Sequence, residues 1–268
     1  NSVAIGVNTS TAAAADYAVA MGYAAQANGM NTIAIGTQAK AIGNASNSNT
    51  VVIGNTSTST NSNGSLTLGN GNITNNSVET VQLGSGNTAD TSRSVAAIGG
   101  LNRTTGSLAS SMIGINNTLV SSNSVSITGI NNDVAGSTLI NVSGFNNDVT
   151  NSVNNSVIGN NNALNSGTNN FIAGFNNTLG SGLSQTQVLG SNTTISNNVA
   201  YGIAIGSGSQ ITQNNAVTLG ANAVANQVGA VAIGANSVAS TAAGIAGYVP
   251  PAANAAQQTA ITNTTSTA

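Results

Sequence analysis

Catalysis, metal binding and covalent chemistry need side chains that titrate, coordinate or attack, and this chain of 268 residues carries very few. It has no His and no Cys, with three Lys or Arg against five Asp or Glu. The groups left for acid–base work are Asp16, Glu79, Asp90, Asp133, Asp148, Lys40 and the four tyrosines. General acid–base catalysis needs a group that titrates near working pH, or a carboxylate moved there by its surroundings. One pair stands out. Asp133 and Asp148 occupy the same place in successive repeats, which predicts carboxylates within about 5 Å of each other on neighbouring strands. Such a pair is able to hold a cation or share a proton; its plainer reading is two exposed corner residues that tolerate each other in water. No Walker-type loop, dinucleotide fingerprint or Ser-His-Asp set is present, and the nine-residue repeat of a calcium-binding roll is missing. Arg93 and Arg103 form the one local cluster of positive charge, read as solvated rim residues. With a formal net charge of -2, the chain has no basic patch for nucleic acid and no polybasic membrane anchor. The expectation is a protein that is not an enzyme, without catalytic residues, cofactor or metal site.

The elements that must carry these residues repeat. Over residues 112–179 a phrase recurs every fifteen residues. Its glycines fall at Gly114, Gly129, Gly144, Gly159 and Gly174. Two asparagine columns follow, Asn116, Asn131, Asn146, Asn161, Asn176 and their neighbours Asn117, Asn132, Asn147, Asn162, Asn177. Apolar columns stand at Met112, Ile127, Val142, Val157, Ile172 and at Leu119, Val134, Val149, Leu164, Leu179. Fifteen residues are too few for a helix pair but fit one turn of a β-solenoid, and a fixed period decides the architecture. The Asn-, Ser- and Gly-rich composition alone would also suit a flexible low-complexity segment, but disorder needs no phase. Gly and Asn enter positive φ most cheaply, so Gly-x-Asn-Asn reads as a structural corner motif. Stacked amides then hydrogen-bond from rung to rung.

Either side of that stretch the phrase changes. Asn1-Ser2-Val3-Ala4-Ile5-Gly6 recurs in copies ending at Gly22 and Gly36, and again at Gly206, Gly220 and Gly234. Side chains alternate along a strand, so Val3 and Ile5 face one way and Ala4 the other. The reading is that one face lies inside the roll, while the small-residue face admits close approach by another copy of the chain. Residues 39–48 hold a few extra residues and suggest a bulging loop; residues 55–63 still make a rung if Ser and Thr replace apolar positions. Glycine anchors from Gly6 to Gly234 predict an all-β parallel roll of about sixteen coils, each of 14–16 residues, over residues 1–240. Residues 241–268 hold the prolines Pro250 and Pro251 and read as an irregular tail, since Pro cannot donate to a strand ladder. No run of eighteen apolar residues occurs, so no helix is expected to span a bilayer. Position 1 falls within a repeat, so an export signal is expected outside these residues.

The copies ending at Gly6, Gly36, Gly206 and Gly234, with Ala235-Asn236-Ser237-Val238-Ala239 after the last, resemble the head repeat of YadA-like trimeric autotransporter adhesins. The resemblance covers roughly residues 1–240, most clearly at both ends. It implies a left-handed parallel β-roll, three of which wind about a common axis as a homotrimer at the tip of a bacterial surface fibre. It also implies a stalk and an outer-membrane anchor outside these residues, with no direct membrane contact here. The partners it implies are two further copies of the chain and a host surface, matrix protein or abiotic surface. The Gly-x-Asn-Asn rungs depart from the usual pattern, so ligand-binding residues of relatives are not carried over. A receptor site is expected where the register breaks, at residues 39–48, 55–63 or 93–103. Two alternatives remain: a structural spacer or self-association segment, and an ice-binding solenoid, which would need a Thr-x-Thr ladder where Thr56-Ser57-Thr58 stands almost alone.

Overall fold

A computed structural model describes residues 1–43, 48–242, 244–245 and 248–263. The chain is an all-β parallel β-solenoid of about sixteen turns, each laying one short strand into each of two sheets. It divides into two compact units, Asn1–Val153 and Asn154–Ala268. In the first unit one sheet runs from Val3–Ile5 to Thr138–Phe145 and the other from Ser10–Thr11 to Asp148–Thr150. Register is kept glycine to glycine, through Gly84, Gly99, Gly114, Gly129 and Gly144. The long step after Gly36 closes without a slip, with Ile33 opposite Val51 and Ile35 opposite Ile53. Residues 44–47, on which the bulging loop rests, lie outside the described residues. Residues 55–63 form a rung, as Thr58–Thr60 is a strand and Ser57 and Ser59 are buried inside.

The second unit carries the same two ladders, from Val153–Asn160 to Val231–Ile233 and from Ala163–Asn165 to Val238–Ala239. Gly159, Gly174 and Gly190 stack in register. Beyond Ala239 the tail is not wholly irregular. It contains a helix, Ala255–Thr262, whose start is fixed by a reciprocal pair of bonds between Asn254 and Gln257. That pair satisfies two donors a helix start otherwise leaves open. No described helix is long and apolar enough to cross a membrane.

The inside of the roll corrects the expected facing of the end coils. Ala20, Ala34, Ala204 and Ala232, the middle residues of their strands, are buried in the interior. Their large neighbours point outward: Met21, Ile205, Leu219 and Ile233 are exposed, and Ile233 is 66% exposed. Alternation shows that the two sets face opposite sides; the inside is decided by what fits between the sheets. In the first coils that space is filled by Ala25, Ala27, Ala39 and Ala41, which leaves no room for paired isoleucines. The Asn-rich coils reverse the arrangement. Met112, Ile127 and Val142 fill one interior column and Leu119, Val134 and Val149 the other, all fully buried, while Ser111, Ser126 and Asn141 face out. Close packing of the interior makes each choice exclusive. Between these regimes the interior is polar and bonded in part: the Thr67 and Thr74 hydroxyls lie 3.0 Å apart, while the buried Ser59 hydroxyl has no partner among the described residues. Thr74 donates to Gln82 at 3.1 Å, and Gln82 donates to the Ile73 carbonyl.

Candidate functional site

The Gly-x-Asn-Asn phrase separates into three physical tasks. Gly114 and Gly129 have φ of 135° and 138°. A Cβ on Gly114 would overlap the carbonyl oxygen of Gly129 on the next coil, and glycines along the stack meet their successors in the same way. The glycine therefore permits close coil-to-coil approach. The corner itself is made by the first asparagine: Asn116, Asn131 and Asn146 have φ of 55°, 59° and 55°, as does Asn176 with 55°. Asn adopts this left-handed conformation at little cost. These side chains are exposed and zip along the edge, Asn116 donating to Asn131 at 2.6 Å and, in the second unit, Asn161 to Asn176 at 2.9 Å.

The second asparagine is buried and bonds in both directions. The Asn117 backbone N–H and Nδ2 both donate to Asn102 Oδ1, at 3.1 and 2.9 Å, and Nδ2 also donates to the Gly129 carbonyl at 2.8 Å. Its own Oδ1 accepts from the backbone and amide of Asn132. The ladder starts earlier than the phrase does, with Asn72, Asn87 and Asn102, and continues to Asn147. In the second unit Asn162 and Asn177 repeat it, and Thr193 takes over as the next donor at 3.0 Å. A second ladder went unread in the sequence. Ser62, Ser77, Ser92, Ser107, Ser122, Ser137 and Ser152 are buried at the far corner. Each hydroxyl that bonds this way accepts the next serine's backbone N–H, as Ser122 does from Ser137 at 3.1 Å, and donates to a carbonyl two residues back. The fifteen-residue spacing of these serines was the available signal.

Asp133 and Asp148 are register partners on the outer face of the second sheet. Partial burial against the coil surface raises the Asp133 carboxyl above the usual carboxylate value, and the Asp148 charge adds to the rise; burial likewise raises Asp148. Both side chains keep exposed area. Among the described residues no group of three or more His, Cys, Asp or Glu gathers to hold a metal. The column holding these two carboxylates runs upward through Thr118, Arg103, Thr88, Ile73, Thr58 and Lys40. Threonines in it are interrupted by Arg103 and Ile73, so no continuous Thr ladder for ice binding forms there. Arg93 and Arg103 lie on separate strands, Arg93–Gly100 and Arg103–Thr105, and both are exposed. Residues 93–103 are in-register rungs, as residues 55–63 are. Ser94, Ala109 and Ser124 take φ of about 50° and bulge outward, flanking an open groove of about 560 Å³ floored by Val125 and Ile140.

Two segments, residues 13–39 and 212–237, match the YadA head domain repeat. None of the curated proteins compared with the chain matches it. One matched copy lies in each unit. Together with the parallel β-solenoid that carries them, the two copies are consistent with a YadA-like head and support the head of a trimeric autotransporter adhesin, a structural, adhesin-like module.

Proposed function

We propose that the chain is the non-enzymatic head of a bacterial surface fibre, which as a homotrimer of left-handed rolls attaches the cell to host or abiotic surfaces. The observation that carries this reading is the outward apolar ladder in and beside the two segments that match the head repeat. Met21, Ile35 and Ile53 follow one another in register, as do Ile205, Leu219 and Ile233. Exposed apolar patches of this extent mark interaction surfaces, and two further copies presenting the same strip are its natural cover. The second sheet then faces outward with Thr, Asn, the charges of Lys40, Arg103, Asp133 and Asp148, and the apolar Ile73. Many weak contacts from three chains per fibre and many fibres per cell add up to avidity without one deep pocket. Anchoring in the outer membrane belongs to segments beyond these residues. The buried Asn and Ser ladders favour a second reading, in which the stretch is a rigid spacer or a self-association segment.

Cells expressing the whole fibre with residues 1–240 deleted separate the two. Loss of attachment to matrix-coated and bare plastic is the expected result. Undiminished attachment overturns the adhesive reading and leaves the spacer.

A further inference from the structure

Where successive corner residues are asparagines, the column closes on itself through their side-chain amides. Asn116 bonds Asn131, Asn176 bonds Asn192 at 2.7 Å, and Asn222 bonds Asn236 at 3.3 Å. Six successive coils have another residue at this corner, Ala24, Gln38, Thr56, Gly71, Gly86 and Leu101, and of these the first three have φ of 54°, 56° and 54°. Two residues on, at the first outward position of the second sheet, stand Gln26, Lys40 and Thr58, which are register partners. These six side chains line a concavity of about 290 Å³. Ala24 has no polar group to close the column, and Thr56 uses its hydroxyl on the Asn55 carbonyl at 2.8 Å. Among the described residues, Lys40 has no ion pair and the amides of Gln26 and Gln38 are not bonded to one another. One ammonium, two amides and the Thr58 hydroxyl therefore converge on one hollow with their hydrogen bonding open.

We propose that Gln26, Gln38, Lys40 and Thr58 bind a carboxylate-bearing sugar. Lys40 is one of three cationic side chains in a chain of net charge -2, so an anion is drawn here by local complementarity rather than by the overall field. Charge-assisted bonds from ammonium to carboxylate are the strong ones available. The amides and hydroxyl offer both donors and acceptors, which suits the hydroxyls of a sugar ring. An extended peptide has no place to add as a strand, because every strand lining the hollow is already paired on both sides. As the receptor contact of the proposed head, the site rests on the adhesive reading; as a binding site of the chain, it is tested alone.

The purified chain is titrated with N-acetylneuraminic acid and with D-glucuronic acid, followed by the NMR signals of the two glutamine amides. Their methyl esters serve as neutral controls and poly-L-glutamate as a peptide source of carboxylate. The free acids are expected to shift those signals while the esters do not. Lys40→Gln should weaken binding about tenfold with an unchanged thermal melt, since the neighbouring coil carries Gln26 at the same register position. Thr58→Val should weaken it less and supplies a second variant. Equal binding of acid and ester, undiminished binding by both variants, or binding of poly-L-glutamate without either sugar acid overturns the proposal. Such a failure leaves the deletion experiment on whole cells standing, so the two readings fail separately.

Discussion

Adjacent asparagines at 116 and 117 look alike in sequence and differ completely in environment. Asn116 holds a left-handed corner and bonds at the surface; the Asn117 side chain bonds four groups inside, Asn102 Oδ1, the Gly129 carbonyl, and the backbone and amide N–H groups of Asn132. Asn117→Ala leaves the backbone and amide donors of Asn132 without their acceptor, which should cost about 2–3 kcal/mol because buried donors bear the full desolvation penalty. Asn116→Gly keeps the conformation, since Gly enters positive φ freely, and should cost well under about 1 kcal/mol. Thermal melts of the two variants read the contrast, and equal losses would contradict it. The sequence revealed both columns but not which turned inward. A residue at φ near 55° restarts the count of inward and outward positions, so parity read along a strand does not survive the corner. At Asp133 and Asp148 the raised folded-state values mean that the charged forms are disfavoured in the folded chain. Linkage then makes this penalty grow as pH rises through the raised values and vanish below the ordinary value of 3.8, where both states are protonated. Asp133→Asn should raise the melting temperature at pH 7, with the gain fading as pH falls towards 3.8. A gain that persists unchanged in acid would refute the linkage.

At the scale of the coil, apolar side chains change sides along the stack. The first coils carry alanine within and Ile or Met without; the Asn-rich coils carry large residues within, with Ser, Thr and Asn outward beside some exposed apolar residues such as Ile113 and Ile158. The altered hydrophobic phase of residues 112–179 is this exchange, and the strands stay in register through it. The fifteen-residue period of the 112–179 stretch gave its coils and corners, and both apolar columns, Met112 to Ile172 and Leu119 to Leu179, lie on strands. The direction of burial stayed hidden, because both faces of an end-coil strand are apolar and only the narrow space between sheets selects alanine. In the Asn-rich coils Ile115, Ile130 and Phe145 add outward apolar residues at the position after the glycine, while Ile113 and Ile158 keep the position before it. The hollow at Lys40 is partly legible, since residues 39–48 and 55–63 stand out in the sequence as interruptions. What the interruptions do not reveal is that Gln38 and Thr56 at the corner stand beside Gln26, Lys40 and Thr58 on the strand.

For the whole molecule, the strip of Ile205, Leu219 and Ile233 is the test of assembly. Three copies burying it should sediment as a trimer. The double variant Ile205→Asp with Leu219→Asp should shift the species to monomer while circular dichroism keeps its β signal, because outward residues do not fill the core. A trimer that survives the double variant, or a wild-type chain that is a stable folded monomer, is incompatible with assembly through this face. Repeat stacks draw stability from neighbouring coils, and the two matched segments at residues 13–39 and 212–237 bracket coils that have moved their apolar residues inside.

The glycine ladder carries a genetic consequence. Because Gly99, Gly114 and Gly129 meet at one spacing and register, excising one fifteen-residue coil rejoins the same contacts, with serine meeting serine and amide meeting amide. Unequal recombination between neighbouring coils would therefore yield folded variants differing in reach by about 4.8 Å per coil. Coils of 14, 16 and 18 residues also close in register, as the steps from Gly22 to Gly36, Gly174 to Gly190 and Gly36 to Gly54 do, because the extra or missing residues fall outside the paired strands. The coil is thus the unit of heritable length, and its corners are where smaller changes are absorbed.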